Sequence, residues 1–402
     1  MFKLQAGLGK FIPLLAFVFV FQVSRGMTLP IFPLYFHSSN LSAINIGEVL
    51  GVYGFSFLFF EAFWGFVFEK ISAYRLMPLI VLANSAAIFA FSRQASFAEI
   101  SLLELVLGIG LGGVGVFPRI AIAKVAGNLE RGRTFGMLAA LYAVGGTVGS
   151  LLGGISDSVL GLSISFIIPA IICSLSLIPF YWHATFFGKL EREVVVLEGA
   201  NSLDSSSPLR KIGNSRIQRI GLLAIGLIGL AMASNNAFFS LLFPNILGQS
   251  PKFSANVVEI SVVLAIFTLS TGILSPFMSS LGWRNPRKWI LGGLAIAGGL
   301  YFALSQENNI LGVYFVTFFI GLSTSSITPL ALSLLTARVP RNLLGRTMGV
   351  YGAVEDVGAI LGSSAGSIIW GLYGSQYSFF LVGTIFLLVG TVFLLVNRKG
   401  NE

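Results

Sequence analysis

The chain has 402 residues, of which 55% are hydrophobic and only 10% are charged. Soluble domains carry about 25% charged residues, so this composition excludes a cytosolic enzyme and a disordered chain, and the single cysteine excludes a disulfide scaffold. The net charge of +9 would suggest nucleic acid in a soluble protein, but a chain with 37 phenylalanines and 47 glycines must face lipid over most of its surface.

Apolar runs long enough to cross a bilayer as a helix, about 20 residues each, recur along the whole chain. The first run lacks the cleavage site of a signal peptide and predicts a retained span. We number the predicted spans 1 to 12, at 11–36, 44–68, 76–92, 99–125, 134–160, 162–182, 218–247, 255–281, 288–305, 309–337, 347–372 and 378–397. The sequence therefore predicts an all-α, multi-pass integral membrane protein.

The distribution of Lys and Arg predicts the orientation, because these residues are retained on the cytoplasmic side during insertion. With the N-terminus inside, all but four of the 25 basic residues lie in cytoplasmic segments. The exceptions are Arg93 and Lys252 in outer loops and Arg25 and Arg119 within spans. We expect both termini in the cytoplasm, a location in the plasma membrane, and a positive inner face attracted to anionic lipid rather than to nucleic acid.

The chain divides into two similar halves. The polar stretch from His183 to Arg219 cannot bury enough apolar area to fold alone, so residues 183–217 are predicted to be a cytoplasmic linker between bundles at 1–182 and 218–402. The segment 132–136 before span 5 (GRTFG) matches 345–349 before span 11 (GRTMG). Because that offset covers six crossings, the repeats are parallel and related by an axis along the membrane normal.

The end of span 2 carries Gly65, Glu69 and Lys70, followed by Arg75. This pattern resembles the signature between the second and third spans of the major facilitator superfamily, and the resemblance covers nearly the whole chain. It implies twelve transmembrane helices in two pseudo-symmetric six-helix bundles that expose a central site to each side in turn, with these four residues in gating. The fourth-span arginine of the family is absent, since Glu104 stands in its place.

Two further motifs bear on the direction of transport. Span 1 carries Pro30 and Pro33, which look like the Pro-x-x-Pro element of the twelve-span drug:proton antiporters. Span 5 carries glycines similar to the antiporter motif, with Ser150 in place of its usual proline: Gly145, Gly149, Gly153 and Gly154. Glycines four apart also let any two membrane helices approach closely, so helix packing is the alternative interpretation.

Arg25 is the main candidate for substrate binding, because a charge within a span needs a partner or a function. Helical periodicity places Gln22, Thr28 and Phe32 on its face. The family resemblance implies that spans 1, 4, 7 and 10 line the cavity, which adds Asn235, Asn236, Phe239, Thr324 and Thr328. The alternative is that Arg25 belongs to a structural ion pair between helices.

Three acids within spans are candidates for proton coupling: Glu61 in span 2, and Glu355 with Asp356 in span 11. Burial favours the neutral form of a carboxyl group, so acids of this kind can carry protons. At the positions equivalent to the span 11 acids, span 5 has Tyr142 and Ala143, so the scaffold alone does not require them. Arg119 is expected to pair with Glu61 or with a lipid phosphate.

Other chemistry is not indicated. No Gly-x-x-x-x-Gly-Lys-Ser/Thr loop is present, and two histidines with one cysteine offer neither a zinc site nor a Cys/His pair. We expect no cofactor and no metal. The sequence favours a monomeric secondary transporter that exports a small organic compound or drug in exchange for protons. The alternatives are uptake or facilitated diffusion of a polar or anionic metabolite, and, less favoured, a membrane-embedded lipid enzyme or a channel.

Overall fold

The computed structural model describes residues 11–125, 128–182, 216–250, 253, 255–282, 284–338 and 344–398. Within these residues the chain forms helices and no strands, and the helices give twelve spans, as predicted. Spans 1 to 6 are Ile12–Thr28 with Phe32–Ser38, Ala43–Lys70, Ala73–Ala90, Phe97–Val125, Asn128–Leu160 and Leu162–Trp182. Spans 7 to 12 are Arg216–Ala237 with Phe243–Gln249, Val257–Thr268 with Ser275–Gly282, Pro286–Gln306, Ile310–Thr324 with Ile327–Arg338, Leu344–Ile360 with Gly366–Tyr373, and Ser375–Arg398.

The structure corrects the predicted boundaries where helices continue beyond their apolar stretch. Span 5 begins at Asn128 rather than at 134, and span 7 begins at Arg216 rather than at 218. A helix can extend into the polar interface because its backbone hydrogen bonds are internal, whereas the apolar pattern reports only the hydrocarbon core. Most of the predicted linker, 183–215, lies outside the described residues.

Several spans are interrupted. Span 1 breaks around Pro30, which lacks the backbone N–H that a continuing helix needs. In the described residues of the second half, spans 7, 8 and 11 each contain a five-residue π-helical turn, at Phe238–Leu242, Leu269–Ile273 and Leu361–Ala365. A π turn inserts an extra residue into the helix and therefore rotates the side chains that follow it.

Each half has its own hydrophobic core. The first is built from residues between Phe11 and Phe180, and the second from residues between Ala224 and Phe393. Both cores contain many aromatic rings among their aliphatic side chains, and many of the rings meet edge to face, as Phe17 meets Phe117 with ring centroids 6.2 Å apart. Because the two cores are separate, each half can move as a body.

The halves meet on the side away from the beginning of span 1 and the end of span 12, which we call the outer side. There the Ser364 hydroxyl donates to the carbonyl oxygen of Gly47 and the Ser367 hydroxyl donates to that of Ala43, each at 2.7 Å. We call this contact between spans 2 and 11 the outer seam. Spans 5 and 8 add a hydrogen bond of 2.6 Å between the hydroxyls of Thr147 and Thr268.

The opposite, inner side is open in the part of the chain that the structure describes. The inner parts of spans 8 and 10, Ser275–Gly282 and Ile327–Arg338, pack against helices of their own half. Arg119, near the inner end of span 4, keeps 58% of its side chain exposed although it lies in a membrane span. The described residues are therefore closed together outside and open inside.

Spans 1 and 5 pack through glycine. A methyl group at Gly149 would collide with the carbonyl oxygen of Val23, and one at Gly153 would collide with that of Met27. Backbone atoms cannot yield as flexible side chains do, so these positions accept only glycine without a shift of the helices.

Gly153→Ala is therefore expected to destabilise the protein by about 1–3 kcal/mol, the usual cost of overpacking. The matched control is Gly115→Ala in span 4, because an added methyl there meets nothing within 4 Å. Thermal unfolding of the purified variants checks both. Equal melting temperatures would show that the spans adjust without cost.

Candidate functional site

A cavity lies between spans 1, 2, 3 and 4, with one edge from span 7. About 50 Å³ of it is accessible to water, which is room for a few molecules. Its lining mixes aromatic and aliphatic side chains with a small number of polar groups, the usual character of a small-molecule site. The polar residues of the lining are Ser24, Arg25, Thr28, Tyr53, Asn84, Glu104, Ser240 and Asn245.

Arg25 projects into this cavity from span 1. Its guanidinium donates a hydrogen bond of 2.6 Å to the hydroxyl of Tyr53 on span 2, and it lies 5.9 Å from the centre of that ring. The Thr28 hydroxyl donates to the Arg25 carbonyl oxygen at 2.8 Å, which fixes the last turn of the helix. A guanidinium has five N–H donors, so this contact leaves most of them available.

Glu104 of span 4 lines the same cavity, and only 4% of its surface is exposed. Arg25 is near enough for its charge to interact with the Glu104 carboxyl group. The guanidinium nitrogens and carboxyl oxygens are more than 4.0 Å apart, so the two side chains do not form an ion pair. No described residue donates a hydrogen bond to Glu104. Arg25 is thus partnered by a tyrosine, and it forms no ion pair with any described residue.

The structure distributes the predicted binding residues over four environments. Arg25, Thr28 and Phe32 line the cavity, whereas Gln22 packs against Gly145 of span 5. Asn236 and Thr328 are accessible but outside its lining. The others are buried in the second half.

Those buried residues already have partners in the second core. Asn235 accepts a hydrogen bond of 2.8 Å from the hydroxyl of Tyr301, and Phe239 stacks on Phe267 with ring centroids 4.2 Å apart. The Thr324 hydroxyl donates to the carbonyl oxygen of Ile320 at 2.8 Å. In this structure none of the three reaches the cavity.

Span 7 supplies one edge of the cavity. Helical spacing from Asn236 points to Phe239, Ser240 and Phe243. Of these, Ser240 lines the cavity, together with Leu241 and Asn245, whereas Phe239 and Phe243 are buried in the second half; the span contains a π turn at Phe238–Leu242.

Tyr53, Asn84 and Glu104 were not among the predicted site residues. Each is an isolated polar side chain in an apolar run, which is a weak signal, although Glu104 is also an ionisable group within a span. In the sequence, Glu104 is marked only by its departure from a family motif.

A second group of charges lies toward the open inner side. Arg119 donates a hydrogen bond of 2.6 Å to the carboxylate of Glu61, which confirms the predicted pair. Glu355 and Asp356 of span 11 are close enough to act on Arg119 electrostatically, and Tyr351 lies beside Glu355. We call Glu61, Arg119, Glu355 and Asp356 the charged cluster. Its members come from both halves, and among them Glu61 contacts Arg119 directly while Glu355 and Asp356 lie within electrostatic range.

The predicted gating residues lie on the inner side as well. Gly65 is in span 2, where an added methyl would meet nothing within 4 Å, and the Arg75 side chain is exposed. The side chains of Glu69 and Lys70 fall outside the described part of the chain. The described residues hold no group of three or more His, Cys, Asp or Glu arranged to bind a metal ion.

Comparison with known families decides the identity of this fold. The family model described as Major Facilitator Superfamily matches residues 14–243 and 222–402. The chain belongs to the major facilitator superfamily. It is therefore a membrane transporter and not an enzyme, and its two six-helix bundles are those of this superfamily.

Curated relatives of this facilitator superfamily member match about nine-tenths of its length. Multidrug resistance protein 2 of Bacillus subtilis (strain 168) is 22% identical over 385 residues, 93% of this chain and 92% of the relative. The multi-drug resistance efflux pump PmrA homolog of Lactococcus lactis subsp. lactis (strain IL1403) is 24% identical over 370 residues, 90% of this chain and 87% of the relative. A staphyloferrin B transporter of Staphylococcus aureus (strain NCTC 8325 / PS 47) is 23% identical over 380 residues, 91% of this chain and 88% of the relative.

Among solved structures, a peptide transporter POT aligns with this superfamily member at a TM-score of 0.76 and 12% identity, over 98% of this chain and 95% of that one. The nucleoside transporter NupG aligns at a TM-score of 0.70 and 15% identity, over 97% of this chain and 99% of that one. At these identities the likeness shows the fold alone.

Proposed function

We propose that the protein exports small organic compounds in exchange for protons, from a plasma membrane in which both termini face the cytoplasm. The charged cluster is the observation that carries this proposal. It pairs Glu61 with Arg119 in the first half and brings Glu355 and Asp356 of the second half within electrostatic range of the same guanidinium.

The charge balance of the cluster supports proton binding. A carboxyl group held away from bulk water favours its neutral form unless a cation faces it. Arg119 faces Glu61 directly, at 2.6 Å, and only 18% of the Glu61 side chain is exposed. The positive charge of Arg119 is therefore largely balanced by Glu61. Glu355 and Asp356 have no cation of their own among the described residues, so they are free to hold protons.

The position of the cluster supports coupling to movement. Glu61 and Arg119 belong to the first half, whereas Glu355 and Asp356 belong to the second. When the halves rock, the distance from the span 11 acids to Arg119 changes, and with it their preference for the charged form. A proton is held in one orientation and released in the other, which is the requirement for exchange.

Two observations support export of an organic compound. The cavity combines apolar walls with a few polar groups, which suits an amphipathic ligand. Two relatives that match at least nine-tenths of the chain carry names that refer to multidrug resistance. The second of these names describes an efflux pump, and we infer that the present protein also moves its substrate out of the cell.

Arg25 is expected to contribute to binding of the substrate. Arg25→Gln should weaken affinity about tenfold or more, because the guanidinium and its hydrogen bond with Tyr53 are both lost. Arg25→Lys should weaken affinity less, because lysine keeps the positive charge although it lacks the planar, forked guanidinium group. Transport rates across a range of substrate concentrations check this. Unchanged apparent affinity in both variants would remove Arg25 from the site.

Flux into proteoliposomes tests the function itself. The purified protein is reconstituted, and uptake of amphipathic dyes of either charge is followed with and without a pH gradient. Proton exchange is supported if the dye accumulates only when the interior of the proteoliposomes is more acidic than the outside. If the dye merely equilibrates, at the same rate with and without the pH gradient, the result contradicts proton exchange and favours facilitated diffusion. Protein-free liposomes measure passive entry of each dye.

A further inference from the structure

We propose that Arg25 and Glu104 are the two poles of a binding site for zwitterionic organic compounds. The anionic group of such a ligand would face the guanidinium, and its ammonium group would face the carboxylate. This deepens the proposed function, on which it rests for the transport of an organic compound through this cavity.

The first observation is that a guanidinium and a carboxyl group line one cavity without a direct contact between them. Arg25 is hydrogen-bonded to Tyr53, and Glu104 has no described hydrogen-bond donor, although 96% of its surface is buried. A buried charge is costly unless it is paired and hydrogen-bonded, so a carboxyl group in this position favours its neutral form while the cavity is empty. An ammonium group that enters the cavity would favour the charged form and would provide the partner that Glu104 lacks.

The second observation is an unsatisfied acceptor on a residue of span 7 that also lines the cavity. Asn245 of span 7 is 1% exposed, and its amide nitrogen donates to the carbonyl oxygen of Leu241 at 2.7 Å. Its Oδ1 atom is buried without a partner, on a residue that lines the cavity. Buried polar atoms are nearly always hydrogen-bonded, so this oxygen also lacks a donor that a ligand ammonium could supply.

These contacts discriminate between ligand classes. A simple anion would satisfy Arg25 and leave Glu104 unpaired, and a simple cation would satisfy Glu104 and leave most donors of Arg25 unused. Only a ligand with both charges satisfies both poles. The aromatic side chains of Phe21, Phe32 and Phe36 provide the apolar wall for the body of that ligand.

A matched probe set tests the proposal by binding at equilibrium. Phenylalanine carries both charges, N-acetylphenylalanine only the negative one, phenylalanine methyl ester only the positive one, and N-acetylphenylalanine methyl ester neither. Purified protein in nanodiscs is titrated with each, and binding is measured by calorimetry and by the shift in melting temperature. We expect phenylalanine to bind about tenfold more tightly than any other member.

Substitutions then assign the poles. Glu104→Gln should move the preference to N-acetylphenylalanine, and Arg25→Gln should move it to the methyl ester. Glu99→Gln is the matched control, because this exposed acid of the same span accepts hydrogen bonds from Ser96 that glutamine can also accept. This variant should bind as the wild type does.

Several results would overturn the proposal: binding of none of the four probes, no preference for phenylalanine in the wild type, or a preference that survives Glu104→Gln. The wild-type comparison stands even if a variant fails to fold. Because no gradient and no flux are involved, failure here leaves proton-coupled export untouched. Conversely, loss of coupling in proteoliposomes would not change the binding result.

Discussion

Oxidation of a Gly51→Cys/Ser364→Cys variant is expected to abolish transport, and reduction is expected to restore it. A Cβ atom at Gly51 would lie 3.7 Å from that of Ser364 across the outer seam. This is within the 3.5–4.5 Å range that disulfides require. A covalent link at this point would hold the outer side closed, and a transporter that cannot open to one side completes no cycle.

The control is a crosslink that does not join the halves. A Cβ atom at Gly390 would lie 3.6 Å from that of Leu294, in spans 12 and 9 of the same half. The Gly390→Cys/Leu294→Cys disulfide should therefore leave transport largely intact. Cys173 is fully buried and should not compete. Full transport by the seam variant with its disulfide formed would show that the seam need not open.

Combining Glu355→Gln with Asp356→Asn is expected to eliminate accumulation driven by a pH gradient. Both replacements keep the shape of the side chain but cannot release a proton, so the step that links proton movement to reorientation is lost. Exchange of substrate across the membrane without a gradient should continue, because neither acid lines the cavity. Uphill and exchange flux, measured on the same proteoliposomes, separate the two effects.

Glu259→Gln provides the comparison. The Glu259 carboxylate accepts a hydrogen bond from the backbone N–H of Asn256, the N-cap residue of span 8 at the outer side, and glutamine can accept the same bond. It should accumulate substrate as the wild type does. Uphill transport at full gradient in the double variant would exclude the proton role. A drop in melting temperature with both fluxes reduced equally would instead assign the acids to structural support.

The number of spans and the two-half organisation could be predicted because both follow from gross physical requirements. Lipid demands about 20 apolar residues per crossing, and a duplicated bundle leaves matching segments such as 132–136 and 345–349. The helix ends were predicted less well. Asn128 and its neighbours continue span 5 in polar surroundings, where hydropathy carries no signal.

The candidate site was predicted where helices are regular and missed where they are not. Arg25, Thr28 and Phe32 share one face of span 1, as helical spacing requires. In span 7 the predicted face reaches the cavity at Ser240, whereas Phe239 lies in a π turn and packs against Phe267, an irregularity that hydropathy does not reveal. Glu104 reaches the site only through packing of span 4 against spans 1 and 2, which periodicity within one helix cannot show.

The walls of the cavity are shared unequally between the halves. Only Ser240, Leu241 and Asn245 come from the second half, and all the other lining residues belong to spans 1 to 4. The first half thus forms most of the cavity wall, and the outer part of span 7 covers one edge of the cavity. When the outer seam parts, we expect span 7 to move away while the lining residues of spans 1 to 4 stay together. A ligand held by Arg25 would then keep its contacts with the first half during the rocking motion, and opening to the outside would change its access to solvent.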